Sequence, residues 1–317
     1  MKLIFKILFV MAFLLTSCVT NNQNKNTVGG KPRYTAFNAD SCYIFLTRQT
    51  DLGARVMNTQ AHDKCKEYIG KTATRLGASV TLQETNLTAY DGTILKCTNI
   101  IASVHPETSD RILVAAHYDS RPWCDEELLI EDSKQPVLGA NDGASGVAVM
   151  LELMRSMNWD SVRIGVDFIF LDAEDYGVSN AENSFCLGSQ YWAKSSKNSL
   201  SKYRFGILLD MVGAPDAMFY RDRVSEYYAK DILDLVWKEA ERCGHSSVFI
   251  NSPGGGITDD HYYINLIAGI PCIDIIHYVP GKGFPETWHT KHDTPENIST
   301  QTLGIVGEVV GNVIYKL

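Results

Sequence analysis

The chain has 317 residues, with 29 basic and 37 acidic side chains and a formal charge of −8 with histidine neutral. An acidic surface repels phosphate, which sets nucleic acid aside as a partner. The composition, with 45% hydrophobic residues and 21% charged, is that of a globular chain, and neither repeats nor low-complexity runs interrupt it.

Lys2 and Lys6 precede an apolar run over residues 7–15, which ends at Leu15-Thr16-Ser17-Cys18. The run is shorter than the roughly 20 residues a membrane-spanning helix needs, so residues 1–17 read as a signal peptide cleaved before Cys18. Cys18 would then carry the lipid that anchors an exported protein to the cell envelope, facing the periplasm or in the outer membrane. The polar residues within 18–36 would form its tether. The alternative is an ordinary cleaved signal with an incidental cysteine. Losing Lys2 and Lys6 leaves 29 − 2 = 27 basic groups against 37 acidic ones, a mature charge of 27 − 37 = −10. No linker rich in Pro, Ser or charge divides residues 37–317, which predicts one large domain. Seven cysteines follow Cys18 without a CxxC pair, which excludes a zinc ribbon or thioredoxin motif and leaves any disulfide pairing open.

Residues 60–76 have the apolar spacing of an amphipathic helix, and 79–87 and 94–104 alternate as an antiparallel edge would. Short, nearly uniform apolar runs then recur at 111–116, 162–171, 205–209 and 272–276, as in buried, mostly parallel strands. Helical patterns lie between and after them, at 143–157, 189–194, 225–243 and 300–315. Within 225–243, Tyr228, Ile232, Leu235 and Val236 make one stripe that ends before Gly244. The alternation predicts an α/β domain, with a mixed, mostly parallel central sheet and helices on both faces.

Polar residues directly follow the apolar runs. His117 and Asp119 follow the first, Asp172, Glu174 and Asp175 the second; Asp210 and His277 end the third and fourth. Asp142 lies in Gly139-Ala140-Asn141-Asp142-Gly143-Ala144-Ser145-Gly146, just before a helix. The carboxyl edge of a parallel sheet is where such folds build sites. Singly, Asp142 could be a helix N-cap and Asp210 a solvated strand end. Jointly, several carboxylates and a histidine at one crevice repel one another unless a cation sits among them, which points to a metal.

With Ala116-His117-Tyr118-Asp119-Ser120, Phe170-Leu171-Asp172-Ala173-Glu174-Asp175 and Leu208-Leu209-Asp210-Met211-Val212-Gly213, residues 60–317 resemble the zinc aminopeptidase superfamily. Asp259-Asp260-His261 and Phe284-Pro285-Glu286-Thr287-Trp288-His289-Thr290 are similar to its glutaminyl-peptide cyclotransferase branch, of bacterial type. The resemblance implies one zinc ion per chain on Asp142, Asp175 and His289, with a position open to substrate. It also implies Glu174 as proton shuttle and Asp210 and Asp259 as hydrogen-bonding partners near the reacting group, one of them protonated. Asp259 could instead be only an N-cap. Trp288 and Phe284 would form the pocket wall.

The implied substrates are peptides or proteins with N-terminal glutamine, cyclised to pyroglutamate with loss of ammonia. Three departures stand out. Asp175 replaces the Glu of animal cyclases. His117 and Asp119, with the Asn141–Gly146 phrase, match two-zinc aminopeptidases. No Trp follows Asp175 where animal enzymes line the pocket, so Phe185 or Trp192 would serve. A two-zinc aminopeptidase and a non-catalytic envelope lipoprotein are the alternatives. His261, His277 and His292 carry no assigned role, and Gly254-Gly255-Gly256 lacks the Lys-Ser/Thr of a phosphate loop.

Overall fold

The computed structural model describes residues 37–195 and 203–317, preceded by a short antiparallel ladder of β1 (Thr27–Val28) with β2 (Lys31–Pro32). The expected signal peptide and Cys18 lie outside the described residues; the ladder falls within the expected tether. Helix α1 (Ala39–Thr50) is capped by Asn38, whose side chain accepts the Ser41 amide. Helix α2 (Gln60–Arg75) is capped likewise by Thr59. Strands β3 (Ser79–Thr88) and β4 (Ile94–Val104) form a hairpin. The chain continues through β5 (Arg111–His117), α3 (Ala144–Ser156), β6 (Gly165–Leu171), α4 (Leu187–Ser195), β7 (Tyr203–Asp210), β8 (Phe219–Arg221), α5 (Arg223–Tyr228), α6 (Lys230–Arg242), β9 (Phe249–Pro253), α7 (Asp260–Tyr263), β10 (Cys272–Ile276) and α8 (Thr300–Tyr315).

Six strands make the main sheet in the order β10-β7-β5-β6-β4-β3. The four from β10 to β6 run parallel, and β4 and β3 add the antiparallel edge. Every residue of β5, β6 and β10 is buried, as a sheet covered on both faces requires. Period-two alternation divides their side chains. Ile112, Val114, Ala116, Phe168, Phe170, Ile207, Leu209, Ile273 and Ile275 face one core with α1, α2, α3, α6 and α8. Leu113, Ala115, Ile169, Leu171, Leu208 and Cys272 face a smaller one with α4 and the π-helical turn Ile264–Ala268. The registers pair His117 with Leu171 and Asp210 with Ile276, so the parallel strands end together at one edge.

The expected helix over 225–243 is two helices. Ala229 leaves helical geometry (φ −141°, ψ 36°), which resets the phase of the apolar stripe. The buried face of α6 is therefore Leu233, Val236, Trp237 and Ala240, while Tyr228 is exposed. The expected strand at 162–171 begins only at Gly165, after a 3-10 turn over Trp159–Ser161. Helix α1 and the small β8–β9 sheet were not foreseen. The seven cysteines after Cys18 are all free thiols, so none forms a disulfide among the described residues.

Candidate active site

Loops from the carboxyl edge of the sheet supply the site. His117 ends β5 and Asp210 ends β7, and the His117 Nε2 lies 2.9 Å from Asp142 Oδ1 and 3.2 Å from Asp210 Oδ1. Asp142 comes to this spot because the 139–143 turn passes directly over His117. A Cβ at Gly143 would meet His117 Nε2 at 2.5 Å, so this approach needs glycine. Asp293 secures the turn by accepting the Asn141 and Asp142 amides at 2.6 and 3.0 Å. The N-cap position of α3 falls to Gly143 and not to Asp142.

The turn after β6 separates three acids by direction. Asp172 points back beneath the sheet edge, accepting from Tyr118 Oη and the Thr98 amide and pairing with His62. Glu174 and Asp175 point toward the crevice. Their backbone amides donate to Asp119 Oδ1 and Oδ2, at 3.1 and 3.2 Å, so Asp119 supports the turn from below. Arg121 Nη1 donates to Asp175 Oδ1 at 2.9 Å.

The third contributor is the segment after β10. His289 Nε2 lies 3.5 Å from Asp175 Oδ1 and 3.7 Å from Asp142 Oδ2, and its Nδ1 lies 3.2 Å from Asp125 Oδ1. That last contact leaves Nε2 directed at the two carboxylates. The Trp288 ring stacks on His289 with centroids 3.7 Å apart, and Phe284 lies 4.4 Å from Trp288. Together with Phe185 and Tyr278 they wall a cavity of about 380 Å³ that also admits Asp142, Glu174, Asp175, Asp210 and Asp259. A pocket of this size suits one side chain or a small ligand.

The electrostatics are strained. Burial, then the neighbouring Asp175, pushes Glu174 well above the ordinary carboxyl range. Burial lifts Asp175 to about 6, with His289 pulling down and Asp142 pushing up. Burial and Asp142 lift Asp210 to about 7. Burial pushes Asp142 up, but the hydrogen bond from His117 together with the nearby charges of His117, His289 and Arg121 holds it below its usual range. A divalent cation would relieve this crowding. Asp142, Asp175 and His289 bring ligand atoms within 4.8 Å of one another, and Asp175 Oδ2 is buried without a hydrogen-bond partner. Tetrahedral zinc with bonds of about 2.1 Å needs ligand atoms roughly 3.4 Å apart, close to the spacings about His289. The donor set therefore fits zinc.

Asp142, Glu174, Asp175, Asp210, Asp259, Phe284, Trp288 and His289 converge on the cavity, but not every residue expected at the site has its expected place. Asp210 lines the cavity and also bonds His117. Asp259 is indeed the N-cap of α7, accepting the Asp260 amide, yet its Oδ2 is buried and unpartnered, and it groups with Glu174 and Cys186. Of the two aromatic candidates, Phe185 lines the cavity, whereas Trp192 is buried in the core near Tyr203, with ring centroids 6.1 Å apart. A helical residue facing the sheet cannot also face the crevice. His261 is buried beside Asp222 and Asp274, and His277 borders a different cavity, with Pro215 and Glu286. Sequence reasoning missed Arg121, Asp125 and Asp293; no local pattern marks residues that act by touching another ligand.

The fold and this acidic, histidine-bearing edge define the class to which the comparisons point. The profile of peptidase family M28 matches residues 99–314, and the chain belongs to that family, in its glutaminyl cyclase branch. The crystal structure of Bacteroides thetaiotaomicron glutaminyl cyclase bound to N-acetylhistamine is 46% identical, with a TM-score of 0.86, covering 90% of this chain and 99% of that one. A leucine aminopeptidase precursor from the same organism is also 46% identical, with a TM-score of 0.84, covering 89% and 98%. Bovine glutaminyl-peptide cyclotransferase is 26% identical over 244 residues, 67% of this chain and 64% of that protein. The chain thus spans less than two thirds of the length of that curated relative.

Proposed function

We propose that the protein is a zinc-dependent glutaminyl-peptide cyclotransferase that converts N-terminal glutamine of peptides or proteins to pyroglutamate. The observation that carries this reading is the aromatic-walled pocket of Phe284, Trp288 and Phe185 beside Glu174 and the Asp142–Asp175–His289 trio. Those three residues would hold one zinc ion, which when bound polarises a carbonyl as a Lewis acid. Trp288 and Phe284, packed on each other, would form one side of a slot with Phe185 and Tyr278 that receives a planar γ-carboxamide and orients its carbon toward the substrate's own α-amine. Glu174 takes the amine proton as the new lactam C–N bond forms, then delivers it to the departing nitrogen as the old C–N bond breaks and ammonia leaves. Water is neither consumed nor needed. Asp259 and Asp210, both raised by burial, would hold hydrogen bonds around the reacting groups.

The name of the similar leucine aminopeptidase precursor makes two-zinc hydrolysis the second reading, with His117, Asp142 and Asp210 around the second ion. In the one-ion reading His117 Nε2 instead hydrogen-bonds these carboxylates directly, at 2.9 and 3.2 Å. A dipeptide with N-terminal Gln should lose the mass of ammonia and keep its peptide bond, as mass spectrometry will report. Free Gln, or free Leu from a Leu dipeptide, as the dominant product would replace cyclisation by hydrolysis.

A further inference from the structure

Between Arg121 and Gln135 the chain makes a loop whose tip exposes three consecutive large apolar residues. Leu128, Leu129 and Ile130 are 98%, 65% and 76% exposed. Contiguous apolar exposure of this kind is uncommon away from interaction sites. The loop is not loose chain that failed to fold inward. Its stems meet where the Cys124 amide donates to the Gln135 carbonyl at 2.8 Å, and Ser133 N donates to Leu129 O at 3.0 Å. Its near stem is tied to the pocket wall: Glu126 N donates to the carbonyl of His289, and Lys291 N donates to Glu127 Oε1 at 3.0 Å. The apolar tip therefore starts two residues beyond a direct contact with His289. Its flanks are acidic, since residues 125–132 read Asp-Glu-Glu-Leu-Leu-Ile-Glu-Asp; Asp125 pairs with Arg121 and Asp132 with Lys291, which leaves the charges of Glu126, Glu127 and Glu131 for a partner.

We propose that this tip is a docking surface for the part of the substrate peptide that follows its first residue, and that it selects apolar side chains accompanied by Lys or Arg. The inference rests on the reading of the pocket as the seat of an N-terminal glutamine. A pocket of about 380 Å³ has room for one side chain and leaves the rest of the peptide to run outward past the rim. An extended chain advances roughly 3.3 Å per residue, so the next few residues reach a loop joined to His289. Apolar contact supplies the attraction, and the surrounding carboxylates supply charge complementarity to a cationic peptide. The same carboxylates repel an anionic bilayer, which makes a peptide the occupant rather than a lipid surface.

The test compares the native protein with a Leu128→Ser/Leu129→Ser/Ile130→Ser variant on three substrates: Gln-Ala-amide, an eight-residue Gln peptide carrying Leu, Phe and Lys, and one of equal length carrying Ser and Glu. The readout is the ratio of kcat/KM for each long peptide to that for Gln-Ala-amide within each protein. For the apolar, basic peptide this ratio should fall about tenfold in the variant, the scale of one or two lost apolar contacts. The ratio for the acidic peptide should stay low and unchanged. An unchanged ratio for the apolar peptide overturns the proposal, as does an equal fall for both. If neither protein cyclises any substrate, the reaction reading fails. Fluorescence anisotropy of the labelled apolar peptide then decides the docking surface alone, equal affinity for both proteins overturning it. Tip-dependent sedimentation of the protein with phosphatidylcholine vesicles, without peptide discrimination, would also overturn it in favour of a membrane contact.

Discussion

Ala173, Cys186, Met211 and His289 all adopt positive φ, between 48° and 57°, and all four lie in or beside the loops of the candidate site. Left-handed backbone at a non-glycine residue costs on the order of 1–3 kcal/mol and survives only where surroundings enforce it. Ala173 shows what the strain accomplishes. It turns the chain between Asp172, which bonds beneath the sheet edge, and Glu174, which faces the cavity. The Leu187 and Cys186 amides pin the turn by donating to the Ala173 and Glu174 carbonyls at 2.9 and 2.8 Å. Glu174 is thus held outside the Asp142–Asp175–His289 trio while remaining adjacent to it, which would separate the proposed proton transfer from the proposed ion binding. Replacing it by Gln should leave about one zinc per chain, read by elemental analysis, while turnover falls at least ~100-fold, the usual scale for a positioned acid–base group. Near-normal turnover, or loss of the zinc, would remove Glu174 from that role.

At the scale of elements, the site depends on four parallel strands ending level, and the other ends of two of them are secured by a buried ion pair. Arg111, the first residue of β5, pairs with Asp167 of β6, and Tyr203 Oη, on the neighbouring β7, also donates to Asp167. Burial opposes the charge on Asp167, but hydrogen bonds led by that from Arg111 hold its carboxyl below the ordinary range. Its folded value is therefore depressed. The resulting stability is present above the unfolded value and is lost as the pH falls through the folded one. Arg111→Ala leaves a buried carboxylate without its counter-charge and should cost roughly 3–5 kcal/mol at neutral pH, measured by urea unfolding. The gap between native and variant should narrow in acid as Asp167 takes up a proton. A gap that is small at neutral pH, or that widens in acid, would mean that the pair does not anchor the strand ends.

For the whole molecule, the N-terminal pattern bears on where the chemistry takes place. We propose an exported lipoprotein anchored through Cys18, with the domain meeting peptides in the cell envelope. The Cys18→Ala protein should move from the membrane fraction to the soluble fraction on cell fractionation, since the acyl chains supply the anchoring. Persistence in the membrane fraction would remove the lipid as the anchor. Among the described residues no helix is long and apolar enough to cross a membrane.

The layering was legible from the sequence because buried strands and amphipathic helices have different hydrophobic periods, and strand ends mark where loops carry function. His117, Asp142, Glu174, Asp175, Asp210 and His289 could be picked out because each sits beside an apolar run or in a distinctive phrase. The sequence also determined that the 139–143 turn can cross His117, through Gly143. Only the tertiary structure decided which acids share a space. Asp172 and Asp175 are three positions apart, yet one belongs to a buried network with His62 and Tyr118 and the other to the cavity. Arg121, Asp125 and Asp293 gain their meaning through contacts across 54, 164 and 151 positions, with Asp175, His289 and Asp142. Local pattern carries no record of such distant pairings, because strand register and loop return paths set them after the core has packed.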